Sequence, residues 1–315
     1  MNDKKVIAVT GATGAQGGGL VRAIAADPGG GFTARAITRD PDSAKARALA
    51  ELGAELVQAD LDDQASLERA FAGAYGAYCV TNFWEHFSPD KEIAQARNLA
   101  GAAKTAGVAH VIWSTLEDTR QWVPLEDDRV PTLYGKWKVP HFDGKGVADP
   151  VFAAAGVPTT WLRTSFYWDN FIYFGMGPRQ DGTGGYVITF PLGDSRLAAI
   201  AAEDIGKCAY GIFHAGAEYV GQTVGIMGEA LTGTELAQQL SQALGIDVHY
   251  YAVPAGMYRA SGFPGAEDLG NMFQIKHDFE AEYLAHRDIA LARKLNPGLQ
   301  TFRDWLDRNA SRIPI

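Results

Sequence analysis

The feature that most constrains this chain lies at its start. An apolar run, Lys4-Lys-Val-Ile-Ala-Val-Thr10, passes directly into Gly11-Ala-Thr-Gly-Ala-Gln-Gly17, and a helical pattern follows from Leu20 to Ala26. A strand that turns through three glycines into a helix gathers free backbone N–H groups and the positive end of a helix dipole at one point, where a pyrophosphate can sit. Gly11 permits the tight turn, Gly14 lets the backbone approach the phosphates, and Gly17 lets helix and strand pack closely. The spacing is GxxGxxG rather than GxGxxG, and glycine triplets also occur in purely structural turns. The strand before and the helix after favour the binding reading.

The same alternation continues. Phe32–Thr38, Glu55–Ala59, Gly76–Val80 and Val108–Ser114 read as strands, with helices at Ser43–Leu52, Gln64–Phe71 and Asp90–Ala106 between them. Strands alternating with helices imply parallel pairing through right-handed crossovers, with helices on both faces. The expected fold class is therefore α/β, a Rossmann-type doubly wound parallel sheet with a smaller C-terminal α+β domain. After Ser114 the periodicity loosens, and Glu117–Pro140 reads as a long surface loop. A helix at His141–Ala155 and a strand at Thr159–Arg163 follow. Arg196–Ala202 and Gln222–Ile226 read as strands with a helix from Asp204 between them, and Thr234–Leu244 (capped by Thr232) and Thr301–Asn309 as helices. The expected division is 1–164, completed by 196–227, for the dinucleotide domain, with 165–195 and 228–315 forming a smaller domain that closes the cleft.

Composition narrows the partners. A formal net charge of -9 over 315 residues argues against direct nucleic-acid binding, which needs clustered Lys and Arg. The two cysteines, Cys79 and Cys208, fall in apolar strand and helix patterns and read as core. With the seven histidines they show no metal-ligand spacing, so no metal is proposed. Met1-Asn-Asp-Lys-Lys5 leads into the first strand without a signal-peptide core, and no apolar stretch approaches the roughly 20 residues of a membrane span. The expected location is cytoplasmic, with no membrane contact and with the oligomeric state left open.

The second strand sets the cofactor. It ends Ala36-Ile-Thr-Arg39, where an NAD enzyme would carry Asp or Glu for the ribose 2′-hydroxyl and where Arg suits a 2′-phosphate. A guanidinium offers a planar fork of donors matched to phosphate oxygens. The expectation is NADP(H), with NAD bound at lower affinity, although Asp40 directly follows and an exposed Arg at a strand end is the plain alternative. Asp60-Leu61, ending the third strand, falls where an adenine would rest.

With these residues placed, the chain resembles the NmrA-like family of atypical short-chain dehydrogenase/reductases, especially its redox-sensor branch. The likeness runs nearly end to end and rests on Thr10-Gly-Ala-Thr-Gly-Ala-Gln-Gly17, Val80-Thr-Asn-Phe-Trp-Glu85, His141-Phe-Asp-Gly-Lys145, Ser165-Phe-Tyr-Trp-Asp-Asn-Phe171 and Gly262-Phe-Pro-Gly-Ala-Glu-Asp-Leu-Gly-Asn-Met-Phe273. It implies a Rossmann domain, a small C-terminal domain and NADP(H) in the cleft between them. By position, the family's cofactor contacts fall on Thr13, Gly14, Ala15, Gln16, Gly17 and Arg39, then Thr81, Asn82, Phe83, Trp84 and Glu85, then Lys145, and then Tyr167, Trp168, Asp169 and Asn170. One departure stands out: a cofactor-contacting Lys of the sensor branch aligns with Ala94, with Lys91 nearby.

Typical short-chain reductases pair a Tyr general acid with a Lys four residues on, on one helix face. Here the aligned pair, the candidate catalytic residues, is His141 and Lys145. An imidazole can deliver a proton near neutral pH, but it can also simply pack or cap the helix. Tyr134-Gly-Lys-Trp-Lys138 matches the Tyr/Lys spacing, yet Gly135 and the prolines at 131 and 140 argue against a helix there. Ser114-Thr115 occupies the place of a carbonyl-holding Ser. The aromatics Trp84, Phe87, Trp122, Trp137, Phe166, Tyr167, Trp168, Phe171 and Tyr173 fall in segments expected to face the cleft, some to pack and some to flank a ring-shaped ligand. Gly262-Phe-Pro-Gly265 reads as a turn closing over it.

Because His141 replaces the usual Tyr and no second acid is evident nearby, the leading expectation is an NADP(H)-binding redox sensor or regulator with little or no turnover, whose cofactor state controls a protein partner. The alternative is an NADPH-dependent oxidoreductase of a small carbonyl, enone or quinone, with a small aromatic or carbonyl ligand.

Overall fold

The computed structural model describes residues 4–182 and 184–315; residues 1–3, the start of the Met1–Lys5 segment read above, lie outside them. The first half follows the alternating pattern in the order β1 (Lys5–Val9), α1 (Ala15–Ala26), β2 (Phe32–Thr38), α2 (Ala44–Glu51), β3 (Glu55–Gln58), α3 (Gln64–Phe71), β4 (Gly76–Cys79), α4 (Pro89–Thr105), β5 (His110–Thr115), α5 (Pro140–Ala155) and β6 (Thr159–Arg163). Local chemistry sets the helix ends. Ser43 and Ser88 accept from the N–H groups of Ala46 and Lys91 as N-caps of α2 and α4, and Pro140 opens α5, where a missing N–H costs nothing.

The later elements are β7 (Phe166–Tyr167), α6 (Asn170–Tyr173), β8 (Arg179–Gln180), β9 (Tyr186–Phe190), β10 (Arg196–Ile200), α7 (Ala202–His214), β11 (Thr223–Gly225), β12 (Glu229–Thr232), α8 (Gly233–Leu244), β13 (Val248–Ala252), α9 (Ala255–Arg259), α10 (Ala266–Asp278), α11 (Glu280–Ala285), α12 (Ile289–Leu295) and α13 (Phe302–Asn309). Seven strands form one parallel sheet in the order β11-β6-β5-β4-β1-β2-β3. Alternate residues separate its two cores. Ile7, Val9, Tyr78 and Ile112 pack with Leu20, Ile205 and Ala292 of α1, α7 and α12, whereas Ala8, Ala77, Cys79 and Trp113 pack with Leu67, Ile93 and Phe152 of α3, α4 and α5. Central strands covered on both faces are fully buried, as in β4 and β5. Cys79 and Cys208 are both free and buried.

Of the segment 196–227 expected to complete the dinucleotide domain, β11 joins the seven-stranded sheet and α7 packs on α1, whereas β10 stands in a separate three-stranded sheet with β12 and β7. A further sheet, β13-β9-β8, and the C-terminal helices share a third core around Phe171, Phe190, Phe273, Phe302 and Trp305. Among the described residues no helix is long and apolar enough to cross a membrane.

Residues 117–140 differ from the surface loop expected of them. Glu117, Thr119, Val123, Val130, Trp137 and Lys138 are all buried. The Lys138 ammonium donates to the carbonyls of Leu125, Asp127 and Val130, and Asp143 accepts the backbone N–H groups of Thr119, Lys138 and Val139. The segment lacks periodicity because side chains, not a backbone ladder, satisfy its polar groups.

Candidate functional site

A cleft of about 1440 Å³ opens at the C-terminal ends of the paired strands β1 and β4, from which the chain crosses over in opposite directions, to β2 and to β5. That is the switch point at which doubly wound sheets bind ligands. Its floor is the glycine loop. Gly11 turns through the left-handed region at φ +58°, and a Cβ on Gly17 would lie 2.5 Å from the Gly11 carbonyl oxygen, so neither position accepts a side chain without moving the backbone. Gly14 caps α1 with no side chain to occupy its first turn, leaving that end open to anions.

At one end of the cleft, Arg39 pairs through both guanidinium nitrogens with Glu85, and both side chains are largely exposed. Exposed pairs of this kind contribute ~0–1 kcal/mol, so the fork can be drawn off by a phosphate. Lys45, from the first turn of α2, lines the same end and was not foreseen. Asp60 and Leu61 lie beside them, and an Asp60 carboxylate oxygen accepts the N–H of Asp62. Lys91, the neighbour of Ala94, is held by Asp62 at 2.8 Å.

Deeper in, the Gln16 amide donates to the Tyr167 hydroxyl and accepts from Tyr78 and Ser114, fixing the glycine loop to β4, β5 and β7. The Lys145 ammonium donates to the Thr81 hydroxyl at 2.7 Å and lies 3.1 Å from Glu92, which is wholly buried on α4 and also accepts from Thr81. Lys145 is thereby aimed into the cleft by a carboxylate that the sequence reading did not identify. Its third donor makes only a long contact, 3.4 Å to the Thr81 carbonyl, and that is the one a ribose hydroxyl can take over.

His141 lies one helical turn before Lys145 on α5, and both line the cleft. Its ring is 4.8 Å from that of Trp84. Nδ1 is 2.6 Å from one oxygen of Asp268, whose other oxygen accepts the His141 backbone N–H at 3.1 Å. An ionised carboxylate only accepts, so Nδ1 carries the proton and Nε2 is left for a ligand. Among the described residues Nε2 has no partner. Asp268 sits in the first turn of α10, where the helix dipole favours a negative charge. Phe263 and Pro264, just before that turn, line the cleft as the turn expected to close it.

The remaining expected cofactor residues, namely Thr13, Ala15, Thr81, Asn82, Phe83, Trp84, Glu85, Tyr167, Asp169 and Asn170, all line the cleft. Trp168 does not. It is 1% exposed and packs against Phe302 and Trp305, because alternate residues of the β7 segment face opposite ways and Trp168 points into the third core. Of the nine aromatics singled out, Trp84, Phe87, Phe166, Tyr167 and Tyr173 line the cleft, while Trp122, Trp137 and Phe171 lie elsewhere. Ser114 and Thr115 are buried, their hydroxyls donating to Gln16 and Asp149, so neither is turned to hold a substrate carbonyl. In the Tyr134/Lys138 match, Tyr134 is exposed at φ 48° and Lys138 is buried in its loop, so the two do not share a face.

Comparison with known proteins agrees with this arrangement. The sequence pattern of the NmrA-like family matches residues 3–306, and the chain belongs to that family. The NmrA-like family domain-containing oxidoreductase FrzB of Cladobotryum sp is 29% identical over 304 residues, covering 89% of this chain and 86% of its own. The corresponding ptmS protein of Penicillium ochrochloron is 27% identical, covering 97% and 98%. Among solved structures, NmrA, a negative transcriptional regulator in complex with NADP, aligns with a TM-score of 0.78 at 25% identity over 97% of this chain and 95% of its own. Triphenylmethane reductase of Citrobacter sp. complexed with NADP(H) shares the fold, with a TM-score of 0.75 at 23% identity over 97% and 99%.

Proposed function

We propose that this NmrA-like chain is an NADPH-dependent reductase of a small, flat, electrophilic substrate such as a quinone or enone. The observation that carries this reading is the His141–Asp268 pair. The expectation of a sensor rests on His141 standing in place of the usual Tyr with no second strong acid evident, whereas Asp268, 127 residues away, accepts from His141 and so supports the histidine itself as proton donor. The segment 117–140, expected as a surface loop, is instead tied down by Lys138 and Asp143. The oxidoreductase names of the relatives FrzB and ptmS point the same way.

The residues fit a dinucleotide: the glycine cradle that a Cβ would fill, Arg39 and Lys45 for a 2′-phosphate, and Lys145 for a ribose. Bound there, a reduced nicotinamide supplies hydride to an electrophilic carbon. Lys145, steered by Thr81 and Glu92, orients the nearby ribose. Protonated His141 gives the Nε2 proton to the substrate oxygen, completing a two-electron reduction, and Asp268 stabilises the imidazolium beforehand. Positioned proton transfer contributes about 10²–10⁴-fold. Trp84 and Phe166 flank the substrate and keep water away.

The test follows NADPH absorbance against quinones, enones and aldehydes for the parent protein and His141→Phe. Turnover with at least one class, falling by about a hundredfold in the variant, is expected. No turnover with any class, or turnover indifferent to His141, overturns the reading. Negligible turnover with cofactor-dependent hydrogen-exchange protection of residues 117–140 and 262–273 would point to the regulator instead.

A further inference from the structure

One wall of the cleft is formed by Leu116, Phe142, Phe166, Leu269 and Met272, all buried. A single charged side chain opens onto this apolar surface, Lys276 of α10, itself 2% exposed. Its Nζ lies 5.4 Å from the ring centre of Phe142, 5.7 Å from Phe166, 5.9 Å from Phe273 and 5.1 Å from Tyr283. Among the described residues it has no hydrogen bond and no ion pair, only these rings. The nearest carboxylate, Glu117, is already claimed by both guanidinium nitrogens of Arg287 and by His286. Buried ammonium groups are normally paired, because desolvation is otherwise uncompensated.

We propose that this wall receives an aromatic ligand bearing an anionic oxygen, a carboxylate or an ionised enol, and that Lys276 is protonated to pair with it. The proposal rests on the reading that the cleft holds a small molecule beside its cofactor, and it names the chemical class of that molecule. The aromatic walls supply stacking surface, and the lone amine supplies the polar specification that a mostly apolar pocket needs. Burial, reinforced by the positive charge of Arg287 and opposed by Glu117, lowers the free amine to about 7. The other groups facing it are the Tyr283 phenol, which burial keeps neutral, and His286 on Glu117. An anion in van der Waals reach reverses the balance and draws a proton onto the amine.

The experiment uses 2-naphthoate and its neutral analogue 2-naphthamide, neither of which consumes NADPH, titrated by calorimetry into protein saturated with NADP. Buffers of different ionisation enthalpy report proton uptake. At about pH 8 the parent protein should bind naphthoate with uptake approaching one proton, and its affinity should fall by up to about tenfold per pH unit above 7. Lys276→Met should lose about tenfold or more for naphthoate and all proton uptake, while binding naphthamide as the parent does, which shows the wall intact. Absence of naphthoate binding, binding without proton uptake, or binding unchanged in Lys276→Met overturns the proposal. Those results leave the reductase reading to its own assay of NADPH oxidation, whose proposed proton donor is His141.

Discussion

Replacing Asp268 with asparagine tests the proton donor with almost no change of shape. In the parent protein both carboxylate oxygens are engaged, one by Nδ1 of His141 at 2.6 Å and one by the His141 backbone N–H at 3.1 Å. An amide has one acceptor. If its oxygen keeps the backbone N–H, its NH2 group faces Nδ1, which must then accept and remain unprotonated. If the amide turns over, its NH2 group meets the backbone N–H, and a buried donor is orphaned. Either way the imidazolium loses a charge-assisted bond contributing ~1.5–3 kcal/mol. At about 1.36 kcal/mol per decade that is roughly ten- to a hundred-and-fiftyfold in rate. The proposed dinucleotide contacts at Gly11–Gly17, Arg39 and Lys145 do not involve Asp268, so NADPH affinity should hold. Single-turnover oxidation at saturating NADPH, with calorimetric affinity in parallel, separates the two. A rate that survives the substitution, or one lost only in proportion to NADPH affinity, refutes the reasoning.

Arg39→Asp should cost NADPH about ten- to a hundredfold in affinity and leave NADH less affected, whereas Glu85→Gln, by freeing the Arg39 fork, should strengthen NADPH binding by up to about fivefold; calorimetric titration of both dinucleotides reads both. Lys145→Met should weaken NADPH binding yet leave affinity for 2′-phospho-AMP, which has no nicotinamide ribose, unchanged; parallel loss would place the lysine elsewhere. Asp149 accepts from Trp113 and Thr115, and burial raises its carboxyl from 3.8 to about 7. The folded chain therefore holds a proton that the unfolded chain releases between those values, so its contribution to stability is full below 3.8 and is lost as pH rises toward 7. The thermal midpoint of Asp149→Asn should lack that part of the decline. Arg287→Met leaves Glu117 buried without its main partner and should destabilise the fold by about 3–5 kcal/mol in denaturant titration.

The sheet and the cofactor loop were legible because their signals are local. Strand, glycine turn and helix at Lys4–Ala26 follow one another in the chain, and each apolar run up to Ser114 needs only its own periodicity to be placed. The helix end at Thr232 was legible for the same reason, since a cap and the N–H it accepts are three residues apart. The two smaller sheets were less so: β7 in one and β8 in the other are two residues each, too short for any pattern.

What the sequence by itself determined is a doubly wound parallel sheet with a glycine turn between its first strand and helix, an arginine at the end of the second strand, and His141 and Lys145 four residues apart on one helix. Tertiary structure decided what those side chains can do. Asp268 reaches His141 across 127 residues, Glu92 and Thr81 aim Lys145, Trp168 turns into the core, and Lys276 is left in an aromatic wall while Arg287 takes the nearest carboxylate. Protonation and orientation depend on which charges and rings surround a group. In this fold those neighbours come from helices and strands far apart in the chain, and no spacing along the sequence encodes them.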